Sequence, residues 1–443
     1  MKLFNLAMFS IVLLHTVFEV KAEPTEKPNV ILIMADDMGF ECLGCNGGLS
    51  YATPNLDKLA QTGIRFLQCY SQPLCTPSRV KIMTGRYNFQ NYTQFRHLDI
   101  NEETFGHVMQ KAGYRTAIAG KWQLNGLDKN PENNIEGCFD KTIPLKFGFD
   151  ESCLWQVTHL KTDGERYSNS LIELNGKELT GIEDKYGPDI FANFVNDFIE
   201  RNKDEKFFIY YPMVLVHAPF VITPDSEEWD NIDARYNTDV NHFKEMVEYS
   251  DKIIGKIVSK LEEEGLTDNT LIIFTGDNGS PKNITTNTVN GPYKGGKSTT
   301  YDSGTHVPLI ANWPSKIRKA SEYPYLIEFS DFLPTLAEVA EGEIPANIDG
   351  QSFVGVLTGR KYSPRESLIV HYDPGTKLDP PAYKGRFVRT VDYKLYHDGR
   401  FYNMIEDKWE RTPLNNSFLT RKETKIRAEL QRIQDQCPPW REN

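Results

Sequence analysis

The apolar positions of this chain fall into short unbroken runs, separated by stretches with helical spacing. Asn29 to Ala35 reads NVILIMA and ends on Asp36-Asp37. A run of that length without alternation predicts a strand buried on both faces. Tyr114 to Ala119, Phe207 to Val216 and Thr270 to Thr275 predict three more strands. Between them the period lengthens. Thr53-Pro54-Asn55 starts a helix through Ala60, with Thr53 as its cap and Pro54 in its first turn. Thr104 to Lys111 and Asp189 to Arg201 predict two further helices. Val240 to Glu264 predicts a long one, with Met246, Ile253, Ile257 and Leu261 on one side and Gly265 as its stop. Strand and helix in alternation argue for an α/β sandwich, a large and mostly parallel mixed sheet between helices.

After about residue 365 the texture changes. Phe387 to Tyr396 and Arg400 to Met404 alternate, with His397-Asp398-Gly399 as a turn. This predicts a small antiparallel sheet in a carboxyl-terminal subdomain, residues 366–443, behind a catalytic domain of residues 23–365. The 443 residues, 39% of them hydrophobic, suffice for one large and one smaller domain.

The amino terminus has the pattern of a secretory signal. Lys2 precedes a largely apolar stretch from Leu3 to Phe18, and Val20-Lys21-Ala22 offers small residues for cleavage. As an anchor helix the stretch is short and carries Asn5, Ser10 and His15. The expectation is a signal peptide over residues 1–22 and a secreted or periplasmic protein that starts at Glu23. No later stretch is long and apolar enough to span a bilayer, so no membrane span is expected after cleavage.

Charge narrows the partners. The formal net charge is −11 and no Lys/Arg run stands out. Binding a phosphate backbone needs a basic surface, so nucleic acid is excluded. An anionic small substrate is not, because a few buried cations can hold it inside an acidic protein. Seven cysteines occur, at 42, 45, 69, 75, 138, 153 and 437. Cys42 and Cys45 have C-x-x-C spacing without a matching second pair, which suits a local disulfide or two free thiols better than zinc.

Asp36-Asp37 and Asp277-Asn278 each follow a predicted strand. In open α/β sheets ligands gather beyond the carboxyl ends of strands. Three carboxylates and an amide oxygen converging there would suit Ca²⁺ or Mg²⁺ and be poor for zinc. The same residues also serve ordinary turns, and pattern alone leaves both readings open.

The segment Cys75-Thr76-Pro77-Ser78-Arg79, followed by Thr84-Gly85-Arg86, resembles the C-x-P-S-R…T-G-R signature of formylglycine-dependent sulfatases. The opening PNVILIMADDMG, TPNLDKLAQTGIRF, AGKW at Ala119 to Trp122, TLIIFTGDNG, GGKSTTYDSGTHVP and the late FYNMIEDKWERTPL also look like that family. The resemblance implies an alkaline-phosphatase-like fold. It also implies oxidation of Cys75 by a formylglycine-generating maturation enzyme to 3-oxoalanine. The hydrated aldehyde carries two hydroxyls on one carbon: one attacks sulfur, and the other allows sulfate to be expelled. By the same resemblance Asp36, Asp37, Asp277, Asn278 and the group at Cys75 bind the metal, calcium before magnesium. Arg79 positions the nucleophile, Lys121 and Lys297 contact sulfate, and His217 is the general acid for the leaving oxygen. Thr76 and Pro77 open a helix whose amino end faces the anion.

Two positions depart from the family's pattern. Gln123 stands where a histidine is usual, two residues after Lys121, and it can hydrogen-bond but cannot act as a base at neutral pH. His306 replaces the arginine of Gly-x-Arg-Val-Pro. Both count, with His217 and Lys297, as candidate substrate-binding residues. The implied substrate is a sulfate ester, first of all a sulfated carbohydrate. Two alternatives share the machinery: hydrolysis of phosphodiesters or phosphonates, and a non-catalytic sulfated-glycan binder.

Overall fold

A computed structural model describes residues 27–160, 166–317, 320–375 and 383–441. The expected signal peptide lies outside the described residues. Ten strands form the central sheet: β1 (Asn29–Ala35), β2 (Ile64–Tyr70), β3 (Arg115–Lys121), β4 (Glu151–Trp155), β5 (Ile172–Leu174), β6 (Lys177–Glu178), β7 (Phe207–Pro212), β8 (Thr270–Gly276), and, after a two-stranded ribbon of β9 (Thr285–Thr288) and β10 (Gly291–Lys294), β11 (His306–Asn312) and β12 (Ser321–Glu328). Their spatial order is β12-β2-β11-β8-β1-β7-β3-β4-β5-β6. The middle strands β8, β1, β7, β3 and β4 are mutually parallel, while β11 runs against both β8 and β2.

All seven residues of β1 are buried because each face of the strand meets a helical layer. Val30, Leu32 and Met34 pack with Val80, Phe332 and Leu336 on one side. Ile31 and Ile33 pack with Val195, Phe198, Ile253 and Ile257 on the other. The carboxyl ends of β8, β1, β7 and β3 therefore share one edge of the sheet. The carboxyl end of β2 and the start of β11 lie there too, since β11 is antiparallel to its neighbours. Gly120, in β3, has φ +108, and a Cβ there would stand 2.1 Å from the Pro212 carbonyl oxygen. Only glycine lets β3 lie this close to β7 one residue before Lys121.

A second sheet, β13 (Leu368–Tyr372), β14 (Gly385–Arg389), β15 (Tyr393–Tyr396) and β16 (Phe401–Asn403), is antiparallel throughout and covered by the helix Arg421–Asp435. It grips the loop of residues 296–305. The buried Lys394 ammonium reaches Glu410 at 2.9 Å and the Thr300 carbonyl at 2.8 Å. The Tyr396 hydroxyl donates to the same carbonyl at 3.0 Å, and Arg389 pairs with Asp302 at 2.6 Å.

Three local expectations change. Thr53 does not cap its helix; the carboxylate of Asp251, from the helix His242–Glu263, accepts from the amides of Asn55 (3.1 Å) and Leu56 (2.8 Å). The strand expected over Phe207 to Val216 ends at Pro212, although the Leu215 carbonyl and Val216 amide still bond Asp36 at 2.8 and 2.7 Å. The run Phe387 to Tyr396 is two strands, turned at Thr390–Tyr393. All seven cysteines are unpaired thiols. No helix among the described residues is long and apolar enough to cross a membrane.

Candidate active site

Cys75 is the first residue of the helix Cys75–Thr84, entered from β2 through an extended Leu74. Ser78 fixes that entry: its hydroxyl accepts from the Gln72 amide and donates to the Gln72 carbonyl, both at 3.1 Å. The Asn88 amide bonds the Pro77 carbonyl at 2.9 Å, and Gly85 ends the helix at φ +66. Every residue of this helix is buried, Cys75 to 2% exposure. Its free backbone amides thus point into the sheet edge where the other strands end.

Asp36 and Asp37 leave β1, and Asp277 and Asn278 leave β8. The Asp37 amide donates to Asp277 Oδ1 at 2.9 Å, and Asn278 Nδ2 donates to Asp37 Oδ1 at 2.8 Å. Donor atoms of Asp36, Cys75 and Asp277 lie within 4.8 Å of one another, as do those of Asp36, Asp37 and His217. Three buried oxygens of this group, Asp36 Oδ1, Asp277 Oδ2 and Asn278 Oδ1, accept no hydrogen bond. Burial pushes the Asp277 carboxyl well up, and the charges of Asp36, Cys75 and Asp37 add to it. Burial works the same way on Asp36, but there Lys121, His217, Arg166 and Lys297 together hold the carboxyl well down. Asp277 is thus the carboxylate of this group left short of positive charge, and three oxygens stand without a donor. A hard divalent cation fits such an all-oxygen donor set.

Cations close the opposite side. Lys121, the last residue of β3, places Nζ 2.7 Å from Asp36 Oδ2. Lys297 reaches Asp37 Oδ2 at 2.6 Å, and His217 Nε2 stands 3.7 Å from that same oxygen. His217 Nδ1 is 2.6 Å from the Ala218 carbonyl, which leaves Nε2 as the atom turned to the cluster. Burial pushes the His217 imidazole well down, helped by Arg166 and Lys297. Arg79, 1% exposed, donates Nη1 to the carbonyls of Lys121 (3.0 Å) and Trp122, while its Nη2 has no partner.

Gln123 follows Trp122 at φ +53. Its amide donates to the Gln156 carbonyl at 3.0 Å, and its buried Oε1 accepts nothing. The structure does not bring His306 to the cluster. Its ring opens β11 and stacks between Phe40 (4.1 Å) and Tyr70 (5.0 Å), with Nε2 3.0 Å from the Leu67 carbonyl and Nδ1 3.3 Å from Asp302. A chain that pairs His306 with Tyr70 in register commits the ring to this packing.

Two residues escaped the sequence reading. Arg166 is 4% exposed, donates Nη1 to Asp36 Oδ2 at 2.9 Å and lies over the Trp155 ring at 4.4 Å. Nothing around it in the chain marks it, because its importance comes from tertiary placement. Gln156 follows β4, with both amide atoms buried and unpartnered. A prediction of β4 would have brought it under the strand-end rule.

The family model described as Sulfatase matches residues 28–342, and the one described as N-sulphoglucosamine sulphohydrolase, C-terminal, matches residues 296–437. The chain is 30% identical to human arylsulfatase A over 405 residues, covering 83% of this chain and 74% of that protein. It is 27% identical to the N-acetylgalactosamine-6-O-sulfatase of Bacteroides thetaiotaomicron over 414 residues, covering 78% and 79%. A solved protein in complex with its substrate D-glucosamine-2-N,6-O-disulfate superposes with a TM-score of 0.73 at 22% identity, over 93% of this chain and 98% of the other.

Proposed function

The chain belongs to the sulfatase family, the sulfuric ester hydrolases, and on that premise we propose that it cleaves the sulfate ester of a sulfated carbohydrate with formylglycine at position 75 and bound calcium. The observation that carries the proposal is the placement of Cys75. It stands at a helix amino terminus, within 4.8 Å of the donor oxygens of Asp36 and Asp277 and on the same sheet edge as Lys121, His217 and Lys297. The sulfated-sugar substrates named for relatives support the substrate class. The signal pattern at residues 1–22 supports a secreted or periplasmic location, and the motif around Cys75 supports its oxidation by a formylglycine-generating maturation enzyme.

Asp36, Asp277 and Asn278 would hold calcium through the oxygens that accept no hydrogen bond, and Asp37 through a carboxylate it also shares with Asn278 and Lys297. When bound, the cation supplies Lewis acidity and neutralises sulfate oxygens. The aldehyde hydrate supplies a nucleophile with a second hydroxyl on the same carbon. The rest falls to the chain itself. Lys121 and Lys297 present fixed ammonium groups to the sulfate oxygens, and their pairing with Asp36 and Asp37 keeps them in place before substrate arrives. Arg79 is clamped to the carbonyls of residues 121 and 122, so it ties the nucleophile helix to the end of β3. His217 is the general acid for the leaving sugar oxygen: the Ala218 carbonyl holds the Nδ1 proton, so Nε2 has a proton to give only after it takes up a second one, as the negative charge of the sulfate enters beside the ring. Gln123 offers an amide to the group at position 75 or to the sugar.

Mass spectrometry of the peptide holding Cys75, followed by assays of that sample on sulfate and phosphate esters, tests this reading. The aldehyde mass with turnover of sulfate esters is expected. An unmodified thiol in an active sample, or a preference for phosphate esters, would overturn it.

A further inference from the structure

His217 and Arg166 have a second surface. Besides meeting the Asp36–Asp37 cluster, both line a cavity of about 460 Å³ whose wall also includes Ser168, Arg235, Tyr236 and Thr238. Among the described residues no acidic side chain lines it, in a chain of net charge −11. Arg235 is 9% exposed. Its Nε donates to the Trp229 carbonyl at 2.7 Å and its Nη1 lies 3.4 Å from the Asp184 carbonyl, with the guanidinium 4.2 Å over the Trp229 ring. Among the described residues no carboxylate pairs with it, and its Nη2 makes no hydrogen bond. Arg166 Nε and Ser168 Oγ are buried and also without partners, although Arg166 spends Nη1 on Asp36.

A nearly buried guanidinium without a counter-charge is costly, and so are buried donors left unmade. The fork of an arginine matches a carboxylate or sulfate oxygen pair. We propose that this cavity is a second anion subsite. It takes a carboxylate or a second sulfate carried by the same saccharide, next to the ester that is cleaved, with Arg235 as the determinant of that preference and Arg166 and Ser168 as further donors. The inference rests on the sulfated-carbohydrate reading and narrows it to saccharides with at least two negative charges.

The test separates the two. The full-length Cys75→Ala protein, loaded with calcium, is titrated calorimetrically with three probes: a monosulfated hexosamine, the same sugar with a second sulfate, and a disaccharide joining the monosulfated sugar to a uronate. One doubly charged probe is expected to bind at least about tenfold more tightly than the singly charged one, and which of the two does so identifies the second anion. Arg235→Met should reduce that advantage to less than about threefold. Thr238 is exposed, so Thr238→Asp keeps the fold while bringing a carboxylate to the cavity, and it should reduce the advantage likewise. A remote control, Arg400→Met, should keep it. Equal binding of all three probes would overturn the proposal. So would an Arg235→Met variant that weakens all three by one factor, the result of a merely structural role. If Arg235→Met does not fold, Thr238→Asp decides alone. Because binding is read on a protein without a nucleophile, failure of the native enzyme to hydrolyse any sulfate ester would count against the proposed function and leave this result standing.

Discussion

Lys297 Nζ lies 2.6 Å from Asp37 Oδ2, so the cation proposed to contact sulfate already neutralises a carboxylate proposed to hold the metal. The two duties pull in opposite directions when the lysine is removed. Lys297→Met should lower kcat/KM on sulfate esters by about 10²–10³-fold, the usual effect of losing one preorganised charge. It should also tighten calcium binding, because Asp37 loses a competitor. Calorimetric titration with calcium beside steady-state kinetics checks both; weaker calcium binding in the variant would contradict this account.

Cys75→Ser should fold like the parent and lose turnover by on the order of 10⁴-fold or more, since a single hydroxyl lacks the partner that releases sulfate. Multiple turnover at a near-normal rate would rule out the formylglycine mechanism.

Calcium should raise the melting temperature. At a hundredfold excess over its dissociation constant the expected stabilisation is about 2.7 kcal/mol. Asp277→Asn should remove most of that gain, because it takes the charge from a buried carboxylate whose Oδ2 accepts no hydrogen bond. Exhaustive chelation should abolish turnover, and calcium should restore it. Full activity after chelation, or zinc as the native metal, would refute the site.

Gln123 has a buried oxygen without a partner. Gln123→Ala should cost activity through the lost hydrogen bond, about 1 kcal/mol or fivefold. Gln123→His should stay active with a changed pH profile or substrate preference. Pre-steady-state kinetics on the parent would show a burst of sugar product followed by a stall, relieved by Gln123→His, if sulfate release needs an imidazole there. A steady rate without a stall is expected.

His371 gives a pH prediction away from the site. Burial, then the neighbouring Arg386, pushes its imidazole down to about 3, and its Nδ1 accepts from Arg386 Nε at 3.0 Å. The unfolded chain protonates this residue near pH 6.5, so its contribution to stability is complete above that value and is lost as pH falls toward 3. Between pH 6.5 and 5 the loss should be about 2 kcal/mol. His371→Asn should be less pH-dependent by that amount in urea unfolding at the two pH values; an unchanged difference would show that the imidazole titrates normally.

Much of this was legible because the chemistry follows chain order. The run Asn29–Ala35 is the strand observed, residue for residue, since a strand buried on both faces has no polar position to blur its ends. Asp36-Asp37 and Asp277-Asn278 could be placed by the rule that ligands gather at carboxyl strand ends, and Cys75 by its motif. Whatever depends on distant partners was not. Asp251 supplies the cap expected of Thr53 from almost two hundred residues away. Arg166 reaches Asp36 from outside any motif. The end of β7 was hidden because residues 213–216 are as buried as the strand itself and differ only in backbone path.

The grip of the small sheet on Thr300 and Asp302 means that the two sheets cannot be exchanged as independent modules. Lys297 sits on a loop whose far side is held by Lys394, Tyr396, Arg389 and Glu410, all from the second sheet and the loop after it. A chimera that takes residues 366–443 from a relative would therefore inherit that relative's placement of Lys297, the lysine proposed to contact sulfate, which the graft itself does not contain. Swapping the tail would retune the site from behind, and a successful graft would have to carry those four partners with it.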